Sequence, residues 1–388
     1  MAKPVIVTVV GTRPEIIRLS RVIPALDHAT TQVIVHTGQN HDRQLNEVFF
    51  EELGIREPDH YLGVDTSSLG SMLGDTLRKI EQVLQDEKPD GLLVLGDTNS
   101  SIAALIAKRM FIPVYHMEAG NRSFDENVPE ETNRRMVDHI SDFNLPYTEH
   151  ARRNLLAEGI SPRRISLSGS PMREVLDYYA DAIDSSSVLS DLGVEAGKFF
   201  VVSAHRQENV DSPDRLGNLL ETLKAVHEKW GYPVLVSTHP RTRRQLELLP
   251  HFAEFEGALF HDPFGFLDYC KLQMNATCVI SDSGTISEES TLLNFPSITI
   301  RDSMERPEAL DSGAIIMTGL RRDEVVAGIE EALSTAYATP RSLPQGYEVD
   351  DTSRRVVRFI LSTVQRHHAW AGIRGRDSVV VNRVHHAR

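Results

Sequence analysis

Cysteine is nearly missing from this sequence: Cys270 and Cys278 are the only two in 388 residues. They form no CxxC or zinc-ligand spacing, so neither a disulfide framework nor a metal centre is expected, and so little cysteine fits a cytoplasmic protein. Long apolar runs are missing too. None approaches the roughly 18 residues of a membrane helix, and no signal-peptide pattern precedes the first strand, so no membrane partner is expected. Positive charge is in short supply, with 41 Lys and Arg against 55 Asp and Glu and a formal net charge of −14. Polyanions would be repelled, which argues against nucleic acid and acidic membrane surfaces but not against a small anion held by local arginines. The common nucleotide fingerprints are absent as well. No G-x-G-x-x-G occurs, and the stretch from Gly91 to Gly96 has P-loop glycine spacing but carries Asp97 where the lysine would stand. NAD and ATP sites are therefore not supported.

What is present is a globular composition, 40% hydrophobic and 25% charged, at a length that favours two domains. Strand and helix signals alternate. Strands are expected over residues 4–10, 32–36, 92–95 and 112–115, with helices over 14–27, 44–53, 69–86, 99–109, 132–140, 149–158 and 172–180. A Ser-rich passage over 181–197 reads as a connector. A second series follows, with strands over 198–203, 233–237, 258–260, 277–281 and 297–300 and helices over 214–230, 241–248, 266–274, 285–293 and 322–338. This order implies an α/β protein of two Rossmann-like, doubly wound domains, 1–180 and 198–345, facing a central cleft. A last helix over 352–368 is expected to fold back onto the first domain, and the basic tail 371–388 is unassigned.

Ligands of such sheets bind beyond the carboxyl ends of the strands, and the chemistry-bearing residues gather there. Asp97 and Glu118 each follow an apolar run, and Glu130 and Glu131 stand just ahead of Arg134 and Arg135. Carboxylates collected in a cleft point to proton transfer. The first strand ends in Gly11-Thr12-Arg13-Pro14-Glu15, which is either a plain strand-to-helix turn or an anion site with Arg13 at a helix start. His205 with Arg206, and His239 with Arg241, repeat one arrangement at two strand ends. A single loop histidine is often incidental; two in register look like a site. Ser283, Gly284 and Thr285 with Glu288 and Glu289 either cap a helix or hold phosphate and ribose. Phe264, Phe266 and Tyr269 either flank a planar base or belong to the core, and Glu305-Arg306-Pro307-Glu308 is a charged turn after the next strand.

Taken in order, GTRPE, TGQN, GDTNS, HMEAG, PEETNRR, the GSP of Gly169–Pro171, SAHR, THPR, SDSGTISEE and ERPE closely resemble the motifs of the non-hydrolysing UDP-N-acetylglucosamine 2-epimerase family, over roughly Val5 to Gly319. The resemblance implies a glycosyltransferase-B-like fold, a UDP-sugar partner, a homodimer, and no metal or other cofactor. It implies inversion at C2 of a UDP-N-acetylhexosamine through loss of UDP to a 2-acetamidoglycal and its re-addition, supplying bacterial surface polysaccharide precursors. It places proton handling on Asp97, Glu118 and Glu130, with His205 as a further catalytic residue assisting departure of the diphosphate, and nucleotide binding on Arg13, Ser283, Gly284, Glu289 and Arg306; Arg18, Arg134, His239 and Tyr269 join these as candidate substrate- or UDP-binding residues. Which acid is the base stays open. The wording HTGQN, LNEVFFEELGI, HMEAGNRSFD and SAHRQENVD is most similar to the subgroup that makes UDP-N-acetyl-L-fucosamine from its L-talose epimer. Two positions depart from the family pattern. Arg18 replaces a usual lysine, and TGQNHDR replaces the TAQHREM of substrate-activated members, so such activation is not expected. The competing functions are a glycosyltransferase of the same fold, a hydrolysing UDP-sugar epimerase, and a nucleotide-sugar sensor without catalysis.

Overall fold

The computed structural model describes residues 2–38, 49–249, 257–335 and 342–373. The expected helix start at 44–48, the TGQNHDR segment beyond Gly38, the end of the helix over 322–338 and the tail from 374 lie outside them. The chain builds two six-stranded sheets, and every pairing in both is parallel. The first contains β1 (Val5–Val10), β2 (Thr31–His36), β3 (His60–Tyr61), β4 (Gly91–Leu95), β5 (Val114–Met117) and β6 (Phe143–Leu145), in the order β3-β2-β1-β4-β5-β6. The second contains β7 (Phe200–Ser203), β8 (Val234–Ser237), β9 (Ala258–His261), β10 (Cys278–Ser281), β11 (Ser297–Thr299) and β12 (Ile316–Met317), in the order β12-β11-β10-β7-β8-β9. Counted from the first strand of each sheet, the two orders are the same. Strand order reverses between β1 and β4 in one sheet and between β7 and β10 in the other. These are the switch points where a doubly wound sheet opens a crevice.

The strands are near-continuous apolar runs because helices cover both faces. Ile6, Val10, Leu93, Leu95 and Tyr115 pack on one side of the first sheet, with Val7, Val9, Leu92, Val94 and Val114 on the other. The second sheet repeats the pattern with Phe200, Val202 and Ile280 against Val201, Leu235 and Val279. The helix Thr352–Thr363 returns to the first sheet. Its Val356, Val357 and Ile360 join that core, and the Tyr115 hydroxyl meets Thr363 Oγ1 at 2.8 Å.

Several expected elements differ. The single helix over 14–27 is two helices, Arg13–Leu19 and Val22–Ala29. Pro24 has no N–H to give Ser20, and its ring crowds that carbonyl, so the first helix cannot run through. The strand expected over 112–115 is β5, two residues later, because Pro113 cannot join the ladder. The connector over 181–197 is partly helical: one helix runs Met172–Ser185 and a short one Val188–Asp191. The last helix stops at Thr363 and a second begins at His367. The strands β3, β6 and β12 were not expected.

Candidate functional site at the switch crevices

Each crevice is organised by a buried carboxylate. In the first, Glu15 accepts the backbone N–H groups of Gly11 and Thr12, both at 2.7 Å, and the hydroxyl of Thr98 at 2.8 Å. The Ser100 hydroxyl donates to it as well. The loop after β1 and the loop after β4 are thereby joined through one side chain. Burial pushes the Glu15 carboxyl above its usual range, and the bonds from Ser100, Thr98, Gly11 and Thr12 offset part of that. In the second crevice, Asp282 accepts the N–H groups of His205 at 3.1 Å and Arg206 at 3.0 Å and the amide of Asn209 at 3.0 Å. It therefore joins the loop after β7 to the loop after β10.

Glu118 follows β5 directly with φ of +63°. Gly96, which ends the neighbouring strand, has φ of +70°, and a Cβ there would lie 3.9 Å from the Glu118 carboxylate. Beneath them His116 Nε2 pairs with the Gly96 carbonyl at 2.8 Å, and its Nδ1 lies 2.9 Å from Asp138. Asp138 also takes Arg122 at 2.7 Å and the N–H of Gly120 at 3.1 Å. Burial opposes the charge of Glu118, but Arg18 and Arg306 outweigh it and hold the carboxyl below its usual range.

Asp97 is bound by Arg134 through Nε at 3.0 Å and through Nη2. Arg134 Nη1 also holds Glu131 at 2.7 Å, and Glu131 accepts the Ser123 N–H at 3.0 Å. Glu130 lies in the first turn of the helix Pro129–Ile140, and Arg206 of the other half sits in its electrostatic field. Arg206 also bonds Glu305 at 3.1 Å, and Arg301 bonds the same carboxylate. Burial disfavours the Glu305 charge, but Arg206, Arg301 and Arg134 together hold it well below the usual range. The two halves touch again where Ser303 Oγ meets Asp125 at 3.1 Å.

His205 and His239 stand with ring centroids 5.8 Å apart. Burial lowers both, His239 to about 4, and the charge of Arg13 lowers them further. Arg13 itself spans 5.1 Å to the Phe49 ring. Ser283 Oγ lies 3.0 Å from Thr285 Oγ1. At Gly284 a Cβ would sit 2.5 Å from Glu305, so no larger residue fits there without movement. Glu289 accepts the Gln273 amide at 2.7 Å, while Tyr269 is half-buried against the second core and Phe266 lies in the first.

Most of the residues singled out in the sequence fall into three groups, while Glu289 and Tyr269 pack into the second half. Asp97 and Glu118 follow the carboxyl ends of β4 and β5, and Glu130 opens the helix Pro129–Ile140. Arg13, His205, His239, Ser283 and Gly284 surround the mouth of the second crevice. The guanidinium groups of Arg18, Arg134 and Arg306 are engaged by carboxylates. Glu15, Asp282 and Glu305 carry much of the polar architecture without having been singled out as site residues, and Glu288, read as a cap or a ribose ligand, pairs with Arg18 and Arg306 instead. Their one signal in the sequence is position: each lies within a few residues of a strand's carboxyl end.

Two doubly wound parallel sheets with switch crevices turned to one cleft define the glycosyltransferase-B-like class. Three comparisons take the assignment further. The family model described as UDP-N-acetylglucosamine 2-epimerase matches residues 25–361. A solved UDP-N-acetylglucosamine 2-epimerase from Rickettsia bellii is 40% identical with a TM-score of 0.89, over 96% of this chain and 100% of that one. The Methanocaldococcus jannaschii UDP-GlcNAc 2-epimerase, solved with UDP-GlcNAc and UDP, is 34% identical with a TM-score of 0.86, over 92% and 99%. A UDP-2,3-diacetamido-2,3-dideoxy-D-glucuronate 2-epimerase from Pseudomonas aeruginosa is 35% identical over 92% of this chain and 99% of its own. The chain belongs to the UDP-N-acetylglucosamine 2-epimerase family.

Proposed function

We propose that the protein interconverts the C2 epimers of a UDP-N-acetylhexosamine without net hydrolysis, with UDP-N-acetylglucosamine the substrate of first choice. The observation that carries this is Glu118: an ionised carboxylate between two arginines, in a left-handed backbone at a strand end, facing the nucleotide half. Its carboxyl is held below the usual range, so it enters the reaction ionised and in the state of a proton acceptor. It takes the proton from C2 of the sugar; the C–H electron pair becomes the C1–C2 double bond as the C1–O bond breaks. UDP leaves with the C1–O electron pair, and the product is a 2-acetamidoglycal. UDP then returns to C1 while a proton is delivered to the opposite face of C2. Asp97, aimed by Arg134, and Glu130 serve that face. Arg13, neutral His205 and His239, and the backbone around Ser283 and Gly284 hold the departing diphosphate. Arg134 acts on the sugar through Asp97 rather than by direct contact.

The motif wording favours the L-talose and L-fucosamine pair, whereas the relatives above are named for a glucosamine and a diacetamidoglucuronate. Those names support placing UDP-N-acetylglucosamine first. The test is incubation of the protein with each candidate UDP-sugar, followed by NMR of the sugar ring. Formation of the C2 epimer with UDP still attached supports the reading. Free UDP with a released sugar would make the protein a hydrolysing enzyme instead.

A further inference from the structure

Arg18, Glu118, Glu288 and Arg306 close a ring of four ion pairs. Arg18 and Glu118 come from the first half; Glu288 and Arg306 come from the nucleotide half. Arg18 gives Nη1 to Glu118 Oε2 and Nη2 to Glu288 Oε2. Arg306 gives Nη2 to Glu118 Oε1 and Nη1 to Glu288 Oε2, the latter at 2.5 Å, and also bonds the Gly284 carbonyl at 3.0 Å. No side chain in the ring is more than 8% exposed. The other oxygen of Glu288 accepts the Ser170 hydroxyl. Tyr147 and Tyr347 face the same charges.

Two consequences follow from the connectivity. Both oxygens of Glu118 are directed, one by each half of the molecule. Each arginine also spans two carboxylates, which a forked guanidinium does with two terminal nitrogens and a lysine ammonium, a single point, does not. The ring contains two positive and two negative groups, so removing one member leaves a buried charge uncompensated.

We propose that Arg18 and Glu288 are positioning residues for Glu118. Glu288, reaching across from the nucleotide half, fixes the Glu118 carboxylate through the forks of Arg18 and Arg306, so that this acid is aimed only while the halves are in contact. The inference rests on Glu118 taking part in the C2 proton transfer described above.

A double-mutant cycle in the full chain tests it. Arg18→Lys, Glu288→Gln and the double variant are compared by the rate of deuterium entry at C2 of UDP-N-acetylglucosamine in D2O, with thermal unfolding in parallel. In the native background Arg18→Lys is expected to lower kcat roughly tenfold or more, because a small misplacement of an acid is costly, and to leave KM within about twofold. In the Glu288→Gln background the same change is expected to cost less than about twofold, since the second arm of the fork has no carboxylate to reach. Losses that simply multiply, or a fall in melting temperature with kcat of the folded enzyme unchanged, overturn the positioning role. Should Glu288→Gln not fold, Ser170→Ala, which removes the hydroxyl steadying Glu288, replaces it in the cycle with the same expected coupling. A native enzyme that epimerises without C2 exchange overturns the reaction itself, a result distinct from additive losses in an enzyme that exchanges normally.

Discussion

A non-glycine residue in the left-handed region costs about 1–2 kcal/mol, and Glu118 bears that cost at a strand end. The neighbouring Gly96 turns the same way and leaves room beside the carboxylate, so the strain is spent on aiming one acid. If Glu118, Asp97 and Glu130 shuttle protons, then Glu118→Gln, Asp97→Asn and Glu130→Gln each lower turnover by roughly 10²–10⁴-fold. Steady-state kinetics beside thermal unfolding checks this; three folded variants with near-native turnover would contradict it. The buried histidines make a separate prediction. His36 and His239 are each lowered by burial from 6.5 to about 4. A histidine that binds its proton less readily when folded favours the unfolded chain as pH falls. Stability is therefore expected to be full above about pH 6.5 and to decline toward pH 4. Chemical denaturation at pH 7 and pH 5 reads the slope, which His36→Asn should reduce. A flat profile would show that both histidines titrate normally.

At the scale of the element, what the sequence made legible and what it hid have definite causes. The alternation of strands and helices was plain because parallel strands buried on both faces are continuous apolar runs. The short strands were not. β3 has two residues and β6 has Asn144 at its centre, too little for periodicity to register. β5 continues through His116, whose polarity reads as a loop, because the ring is bonded to the Gly96 carbonyl and lies against Asp138 inside the fold. Glu15 belongs to the strand-to-helix turn, where it completes the capping box with Thr12, yet the bonds from Thr98 and Ser100 that make it a bridge come from 83 and 85 residues away. In the sequence Arg18, Arg134 and Arg306 read as substrate- or UDP-binding residues; their carboxylate partners are visible only once the chain is folded. Glu15→Gln is expected to destabilise the protein by about 1–3 kcal/mol, the cost of leaving buried donors unmet, and to lower kcat by loosening the Asp97 loop. Urea denaturation and kinetics measure both. Loss of stability with unchanged kcat would confine Glu15 to a structural role.

For the molecule as a whole, the seam between the halves is mixed: the four-membered ring, Asp125 with Ser303, and Glu52 accepting the Leu267 N–H at 2.9 Å stand beside Phe266 and Cys270, which pack into the first core. UDP contacts on both sides are expected to favour closure, and small-angle scattering should show compaction on adding UDP; an unchanged radius would contradict this. Among the described residues no group of three His, Cys, Asp or Glu side chains is placed to hold a metal ion. With Arg13 and the two histidines available for the diphosphate, full activity after EDTA is expected, and a loss restored only by a divalent cation would overturn that. The central claim is that C2 loses its proton to one carboxylate and regains one from the other face. Incubation with UDP-N-acetylglucosamine in D2O, followed by NMR, tests it most directly. The account predicts that the C2 epimer appears carrying deuterium at C2 with UDP still attached. Epimer that retains its original C2 proton would contradict it.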